Sequence, residues 1–238
     1  MAIIPTLNST TVTDSGASPR EHRLFHYTSE FAHLKSMLRA GIWPRYCIEE
    51  FDWLLGDNIC IAFPVACFCD IPLSAAGEHK DRYGAYAVAL HKNFAADLDI
   101  TPIWYLQEET SIVEHLKKIC DATPRITLDT IPESLKPILP FMKSTIGGQP
   151  DRNAARPGTI EIMAFEEELE WRHTPLELIG TWDMGYGRDS LASVDHNRSL
   201  DHRISLESNA IDEVFVTTDD EKKEIETDFP WLVGRVRC

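Results

Sequence analysis

The stretch LFHYTSEFAHLKSMLRAGIWPRYC, residues 24–47, decides the fold that the sequence predicts. Residues 24–27 are typical of the end of a short strand, and Thr28 or Ser29 is a good N-cap for a helix that follows at once. Gly41 stands where a glycine often ends a helix. Four apolar residues have the spacing of one helix face: Phe31, Leu34, Met37 and Leu38. The stretch therefore predicts a strand that runs into a helix.

The polar residues at the end of this strand are candidate ligand contacts. Helix capping explains Thr28 and Ser29, because their hydroxyl groups accept hydrogen bonds from free N–H groups of the first helical turn. Capping does not explain His26 and Tyr27. A strand-to-helix junction exposes side chains beside backbone N–H groups, which favours contacts with a ribose or a phosphate. From this stretch alone, a half-buried histidine bonded to the backbone is the more common arrangement.

Further strands and helices are predicted along the rest of the chain. Residues 59–69, ICIAFPVACFC, form an almost continuous apolar run and indicate one or two buried strands that meet at a bend at Pro64. Other strands are predicted at residues 83–90, 101–106, 159–165 and 210–217. Helical spacing occurs at residues 112–119 and 135–142, and further helices are predicted at residues 94–98 and 219–227. Together these elements predict an α+β fold with a mixed or antiparallel sheet and helical decoration.

The predicted domain organisation is simple. Residues 1–22 read as a flexible N-terminal arm, and residues 23–238 as a single α+β domain, since a chain of 238 residues with 43% hydrophobic content can bury a core of that size. A helical insertion is predicted near residues 108–158. Its end, GGQPDRNAARPG at residues 147–158, carries the strongest loop signal of the chain.

Composition indicates the compartment and the class of partner. The first twenty residues lack the basic start and apolar run of a signal peptide, and no stretch approaches the ~20 apolar residues of a membrane span. Six cysteines show no zinc or disulfide spacing, so we expect a reduced, cytoplasmic protein. The net charge is −15, with acidic residues concentrated in residues 161–190 and 211–228. Such a surface repels nucleic acids; it suits a basic partner, or it simply confers solubility.

The sequence EEELEWR, residues 166–172, is the second candidate site. In a strand, Glu166, Glu168 and Glu170 alternate onto one face, where their charges repel one another. At least one of these carboxylates is then hard to ionise, unless Arg172 or another cation lies near. A solvated run of charges remains an equally open interpretation.

Several common chemistries have no motif here. The chain lacks Gly-x-Gly-x-x-Gly, a Walker loop, His-Glu-x-x-His and Gly-x-Ser-x-Gly, which argues against Rossmann, P-loop, zincin and α/β-hydrolase sites. Cys67 and Cys69 share a strand face, but two thiols make an incomplete zinc site, and we interpret them as core residues. No metal site is predicted. Tyr83 is a candidate for the wall of a pocket.

Several ordered motifs resemble one family: LFHYTS, LRAGIWPRYC, ACFCDIPLS, HKDRYGAYAVAL, TPIWYL and EEELEWRHTP. They are similar to the AbiGi family of bacterial abortive-infection proteins, described as antitoxins in phage defence. The likeness covers residues 24–106 and 160–217. It implies an antiviral defence protein with a partner protein in the same system.

A more distant resemblance has a mechanism. A strand that ends in His-Tyr-Thr, followed by a helix and Leu-x-x-Gly, is similar to the start of ADP-ribosyltransferase-like domains. The resemblance implies that fold, NAD as the cofactor, Glu170 or Glu168 as the catalytic late glutamate, and nucleic acid only as a possible acceptor. His26 would contact the adenosine ribose and Tyr83 or Tyr86 would stack on nicotinamide. The full set of implied cofactor-binding residues is His26, Tyr27, Thr28, Arg45, Tyr83, Tyr86 and Arg172.

Three functional hypotheses follow. The first is an NAD-dependent ADP-ribosyltransferase that modifies a macromolecular acceptor, with a glutamate stabilising charge on the ribose as nicotinamide leaves. The alternative is a non-catalytic antitoxin or regulatory partner, whose acidic half, residues 161–228, covers a basic protein surface. A nuclease or metal hydrolase, built on clustered carboxylates, is the third. The first requires His26 and the glutamates of residues 166–170 to line one cleft.

Overall fold

The computed structural model of the chain describes residues 22–71, 83–120, 126–150, 160–164 and 168–238. These residues form a largely antiparallel sheet with helices packed around it, which confirms the predicted α+β class. The strands are β1 Arg23–Thr28, β2 Arg45–Glu50, β3 Ile59–Cys69, β4 Tyr86–His91, β5 Thr101–Pro102, β6 Trp104–Leu106, β7 Met142–Ser144, β8 Ile146–Pro150, β9 Ile160–Ala164, β10 Glu170–His173, β11 Asp183–Tyr186, β12 Ile211–Phe215 and β13 Val236–Arg237. The α-helices are α1 Phe31–Ala40, α2 Asp52–Leu55, α3 Ser111–Ile119 and α4 Asp219–Asp228.

Short 3₁₀ helices connect these elements. They comprise Lys92–Phe94, Leu128–Thr130, Lys136–Phe141, Leu176–Thr181, Arg188–Leu191, His196–Ser199 and Pro230–Leu232. The 3₁₀ helix Lys136–Phe141 lies where helical spacing was predicted, and Pro140 inside it is incompatible with a longer α-helix.

The long strand β3 joins the two parts of the sheet. Its first half pairs with β2 and β11, and its second half pairs with β1 and β10. Because both edges and both faces are covered, nearly every residue of β3 is buried, which explains its unbroken apolar sequence. Pro64 does not divide it: the residue lies within the strand opposite Tyr46 of β2. A cleft opens where β3 changes partners.

Strands β1 and β4 form the centre of the larger part of the sheet. They pair along six residues, from Arg23↔His91 to Thr28↔Tyr86, and the strand order is β13-β12-β4-β1-β3-β10-β5. This pairing keeps Thr28 inside β1, so the predicted cap is wrong. Glu30 is the N-cap of α1, without a side-chain hydrogen bond. Gly41 ends the helix as predicted, at φ +84°.

Two apolar clusters lie on either side of the sheet. One joins α1 and α4 to β1 and β4, and its members include Leu24, Leu34, Val88, Val214 and Ile225. The other joins α2 and α3 to the first half of β3, and its members include Phe51, Leu54, Phe63, Val113 and Leu139. The walls of the cleft are therefore anchored on two separate cores.

The region predicted as a helical insertion contains both helix and strand. It includes α3 and two 3₁₀ helices, and it ends in β7 and β8. The loop prediction for residues 147–158 is wrong at its start, because residues 147–150 belong to β8, which pairs with β9. Residues 151–159 and the arm up to residue 21 lie outside the described residues. The division into arm, domain and insertion stays a prediction.

Candidate functional site

A cleft of about 370 Å³ lies beside the second half of β3. This volume falls in the range of small-molecule pockets, roughly 300–1,000 Å³. Strands β1, β2, β3 and β10 supply most of its wall. The lining side chains are Phe25, His26, Tyr27, Cys47, Ile48, Glu49, Cys67, Phe68, Cys69, Tyr83, Lys143, Glu168, Glu170, Arg172 and Arg188. The cleft thus brings together His26 from the start of the fold and the glutamates that precede and begin β10.

His26 is held rigidly in the cleft wall. Its Nδ1 lies 2.7 Å from the carbonyl oxygen of Cys67, and its ring packs against Phe68 with 5.4 Å between the ring centroids. Burial lowers the pKa of His26, so the ring is neutral near pH 7. A neutral ring that faces a carbonyl through Nδ1 carries its proton there. Nε2 is therefore a hydrogen-bond acceptor.

The acidic block does not form the predicted strand face. Leu169 has a φ of +44°, which breaks the extended backbone, and β10 begins only at Glu170. As a result Glu168 and Glu170 are both buried and line the cleft, whereas Leu169 is 47% exposed. Glu166 lies outside the described residues, so its predicted place beside Glu168 and Glu170 stays a prediction.

Arg172 is the centre of a buried ion-pair network. Its side chain is 1% exposed. Nε donates to Glu170 Oε1 at 2.7 Å, Nη2 lies 3.2 Å from Glu170 Oε2 and 2.5 Å from Glu49 Oε1, and Nη1 donates to the carbonyl of Pro140 at 2.8 Å. These bonds connect β10 to β2 and to the 3₁₀ helix Lys136–Phe141. Arg172 therefore ties the two parts of the sheet together behind the cleft.

Lys143 extends this network to Glu168. Its Nζ lies 2.8 Å from Glu168 Oε2 and 3.2 Å from Glu170 Oε2. The hydroxyl of Tyr83 donates to Glu168 Oε1 at 2.6 Å. Among the described residues of the network, the carboxylates of Glu49, Glu168 and Glu170 face the cations Arg172 and Lys143, so these carboxylates outnumber these cations.

The charges around Glu170 keep its carboxyl group ionised. Burial alone would raise its pKa, but the charges of Arg172 and Lys143 outweigh burial and lower the pKa to about 2. The sequence left two alternatives for this block: a carboxylate that is hard to ionise, or carboxylates kept ionised by Arg172 or another nearby cation. Glu170 follows the second. Burial raises the pKa of the thiols that share the wall, to about 11 for Cys47 and about 12 for Cys69. These cysteines are poor nucleophiles, and Cys69 is buried, in line with its interpretation as a core residue.

Three residues of the predicted cofactor-binding set lie away from the cleft. Tyr86 packs against Phe31 and donates a hydrogen bond to Glu221 at 2.7 Å. The guanidinium of Arg45 lies 4.7 Å from the ring centroid of Trp43. Thr28 ends β1 beyond the cleft. Of the predicted set, His26, Tyr27, Tyr83 and Arg172 remain at the cleft with both glutamates.

Sequence reasoning missed Glu49 and Lys143. Glu49 lies on β2 and Lys143 on β7, far along the chain from Arg172. Neither belongs to a motif, and a lone Lys between Met and Ser gives no spacing signal. One hint was present: an acidic block without enough nearby cations requires partners from elsewhere in the fold.

Two further findings concern ligands and membranes. In the part of the chain that the structure describes, no cluster of three or more His, Cys, Asp or Glu side chains is arranged to hold a metal ion. None of the described helices has both the length and the apolar character that crossing a bilayer requires.

Comparisons with known proteins connect the chain to phage defence. The family model described as "Putative abortive phage resistance protein AbiGi, antitoxin" matches residues 41–217. The chain is also similar to the abortive phage resistance protein AbiGi of Lactococcus lactis subsp. cremoris, with 28% identity over 151 residues. That match covers 56% of this chain and 61% of the relative, so it spans less than two thirds of the relative's length. No solved structure matches the chain.

Proposed function

Because this chain belongs to the AbiGi family of abortive phage resistance proteins, we propose that it acts in phage defence by binding NAD in the cleft and passing ADP-ribose to a macromolecular acceptor. The observation that carries the proposal is the meeting of His26 with Glu168 and Glu170 in one cleft. An ADP-ribosyltransferase-like fold is part of the same proposal.

The residues of the cleft fit such a ligand in three respects. His26 offers Nε2 as an acceptor for a ribose hydroxyl, because Nδ1 is already engaged with the backbone. Carboxylates outnumber cations among the described residues of the network, which favours a cationic group, and the nicotinamide ring of NAD⁺ is cationic. Tyr27 and Tyr83 supply aromatic surface in the same wall.

The two glutamates have different roles in this proposal. Glu170 contacts both Arg172 and Lys143, so its carboxylate is committed to holding the network together. Among the described residues, Glu168 contacts Lys143 and Tyr83 and makes no bond to Arg172. Bound NAD⁺ supplies a ribosyl carbon that gains positive charge as nicotinamide leaves. Glu168 is the carboxylate that would stabilise this charge, and Glu170 is a positioning residue.

Incubation with labelled NAD⁺ tests the proposal. The purified protein is mixed with NAD⁺ and with candidate protein, DNA and RNA acceptors, and both released nicotinamide and labelled acceptor are measured. We expect wild type to release nicotinamide and Glu168→Gln to lose at least about a hundredfold in rate, as is usual when one stabilising group is removed from a transition state. Glu114→Gln, which alters an exposed glutamate paired with Lys117, is the control and should match wild type. Absence of both NAD⁺ binding and nicotinamide release by the wild type overturns the proposal.

The family description favours a second candidate, a non-catalytic antitoxin that binds a basic protein surface. Two acidic residues of this half are not available for the role, because Glu168 is buried and Glu221 closes the capping box of α4. Asp219 and Asp220 in the first turn of α4 are exposed. Recovery of tagged protein from infected cells should then yield a basic partner, and Asp219→Asn with Asp220→Asn should weaken its capture at moderate salt. Undiminished capture would exclude this acidic surface as the contact.

A further inference from the structure

Arg45 belongs to a second polar surface, separate from the cleft. We define the arginine patch as Trp43, Arg45, Arg198 and Arg203, with His196 at its edge. The guanidinium groups of Arg45 and Arg203 lie 4.7 Å and 5.7 Å from the ring centroid of Trp43. Arg198 lies 4.4 Å from the ring centroid of Tyr46, the next aromatic residue along the chain. Three arginines thus cluster on a protein whose net charge is −15.

The centre of the patch is built rigidly. A backbone bridge pairs Ile42 with Ile204, with N–H to carbonyl distances of 3.0 Å and 2.8 Å, and it places Trp43 beside Arg203. The indole N–H of Trp43 donates to the buried Ser199 hydroxyl at 3.1 Å, which itself donates to the carbonyl of Pro44. The aromatic ring that supports the arginines is therefore fixed before any ligand arrives.

Arg45 and Arg203 are available for a ligand. Among the described residues, they are the two arginines whose guanidinium groups have neither a carboxylate nor a carbonyl partner. Arg198, by contrast, pairs with Asp183. After burial, the charge of Arg45 is the next largest cause of the lowered pKa of His196, which places this guanidinium near the imidazole ring.

We infer that the arginine patch is an anion-recognition surface that docks an acidic segment of a partner protein through its carboxylates. A guanidinium stacked on an aromatic ring keeps its N–H edges free and matches a carboxylate bidentately. The faces of Trp43 are already used by arginines, which leaves little platform for stacking the bases of a nucleic acid. A long polyanion would also have to cross the groove beside Arg203, which carries Asp97, Asp99 and Glu207. A short acidic segment avoids that repulsion.

Fluorescence anisotropy with a labelled octaglutamate peptide tests this inference at low salt. We expect saturable binding that weakens with salt, and about a hundredfold loss of affinity in the double variant Arg45→Gln, Arg203→Gln, because each of the two lost charged bonds costs about tenfold. The Arg45→Lys, Arg203→Lys protein keeps the charge but loses the planar fork, and should bind with intermediate affinity. Arg39→Gln is the matched control, since Arg39 also lies over an aromatic ring, that of Phe229, but pairs with Asp228.

The possible outcomes divide clearly. Peptide binding that depends on Arg45 and Arg203 but not on Arg39 supports the inference. No binding of the peptide, or equal affinity in the double Gln variant and in Arg39→Gln, overturns it. Tighter binding of an octauridylate than of the peptide, lost in the same double variant, also overturns it and assigns the patch to RNA. Both arginines lie at the surface of the fold, and an unchanged melting temperature of each variant shows that the result is not a folding defect.

Discussion

Replacement of Arg172 by methionine should destabilise the protein strongly, because it removes the cation that holds the network together. Arg172 is 1% exposed and contacts Glu170, Glu49 and the carbonyl of Pro140. Removing one partner of a buried ion pair typically costs about 3–5 kcal/mol. The lower end of this range is expected here, since Lys143 still contacts Glu170.

The pKa of Glu170 gives a second value for the stabilisation by this network and predicts how that stabilisation depends on pH. Its pKa falls from 4.5 to about 2 in the folded state, which corresponds to roughly 3 kcal/mol of stabilisation. A carboxylate whose pKa is lowered by folding stabilises the fold above its unfolded pKa. This contribution is lost as the pH falls from about 4.5 towards 2. The difference in stability between wild type and Arg172→Met should therefore be full at neutral pH and shrink below about pH 4.5.

Urea unfolding followed by circular dichroism, from neutral pH down to about pH 3, measures this difference. Arg188→Met is the control, because Arg188 and Glu50 form a surface pair that should be worth less than about 1 kcal/mol. The double variant Arg172→Met, Glu170→Gln should recover part of the loss, since it leaves one buried carboxylate fewer without its partner. A cost for Arg172→Met below about 1 kcal/mol at neutral pH, or one that does not change with pH, would refute this account of the network.

Two further predictions concern the backbone and a helix end. Gly84→Ala should lower the free energy of unfolding in urea clearly more than Gly56→Ala. Both glycines have positive φ, which costs another residue about 1–3 kcal/mol of strain. Only at Gly84 would an added Cβ also lie 2.2 Å from the carbonyl oxygen of Thr28. Equal costs would show that this close approach is relieved easily. Thr218→Ala should cost about 1 kcal/mol, because its hydroxyl accepts from the first turn of α4, and Thr110→Ala should cost less, because Thr110 starts α3 without such a bond. Thermal unfolding that ranks the two in the opposite order would contradict this.

Much of the fold could be predicted because short stretches of the sequence indicate its helices and strands. Apolar spacing predicted α1, a helix was also predicted where α4 lies, and the apolar run of residues 59–69 predicted buried strand, in one or two segments. The capping prediction failed at Thr28, since pairing with β4 extends β1 by tertiary contact. The loop prediction failed at residues 147–150, where pairing with β9 outweighs the low strand propensity of two glycines and a proline.

The candidate site was predictable in its composition but not in its chemistry. The sequence identified His26 and the glutamates of the acidic block, and it stated that a nearby cation would keep those carboxylates ionised. It did not indicate Lys143 or Glu49, which come from strands with no local signal. It also assigned Arg45 and Tyr86 to the same ligand, whereas the fold places them elsewhere.

The sequence by itself determined the α+β class, the positions of most main strands along the chain and the family, because periodicity and ordered motifs are properties of short stretches. Only the tertiary structure decided which charges meet. Distances of a few ångströms between residues far apart in the chain set the pKa of Glu170 and the ion pairs of Arg172. They also place Arg45 in the arginine patch and not in the cleft. Electrostatic energy falls steeply with distance and with exposure to water, so it is set by the folded geometry and not by the order of residues.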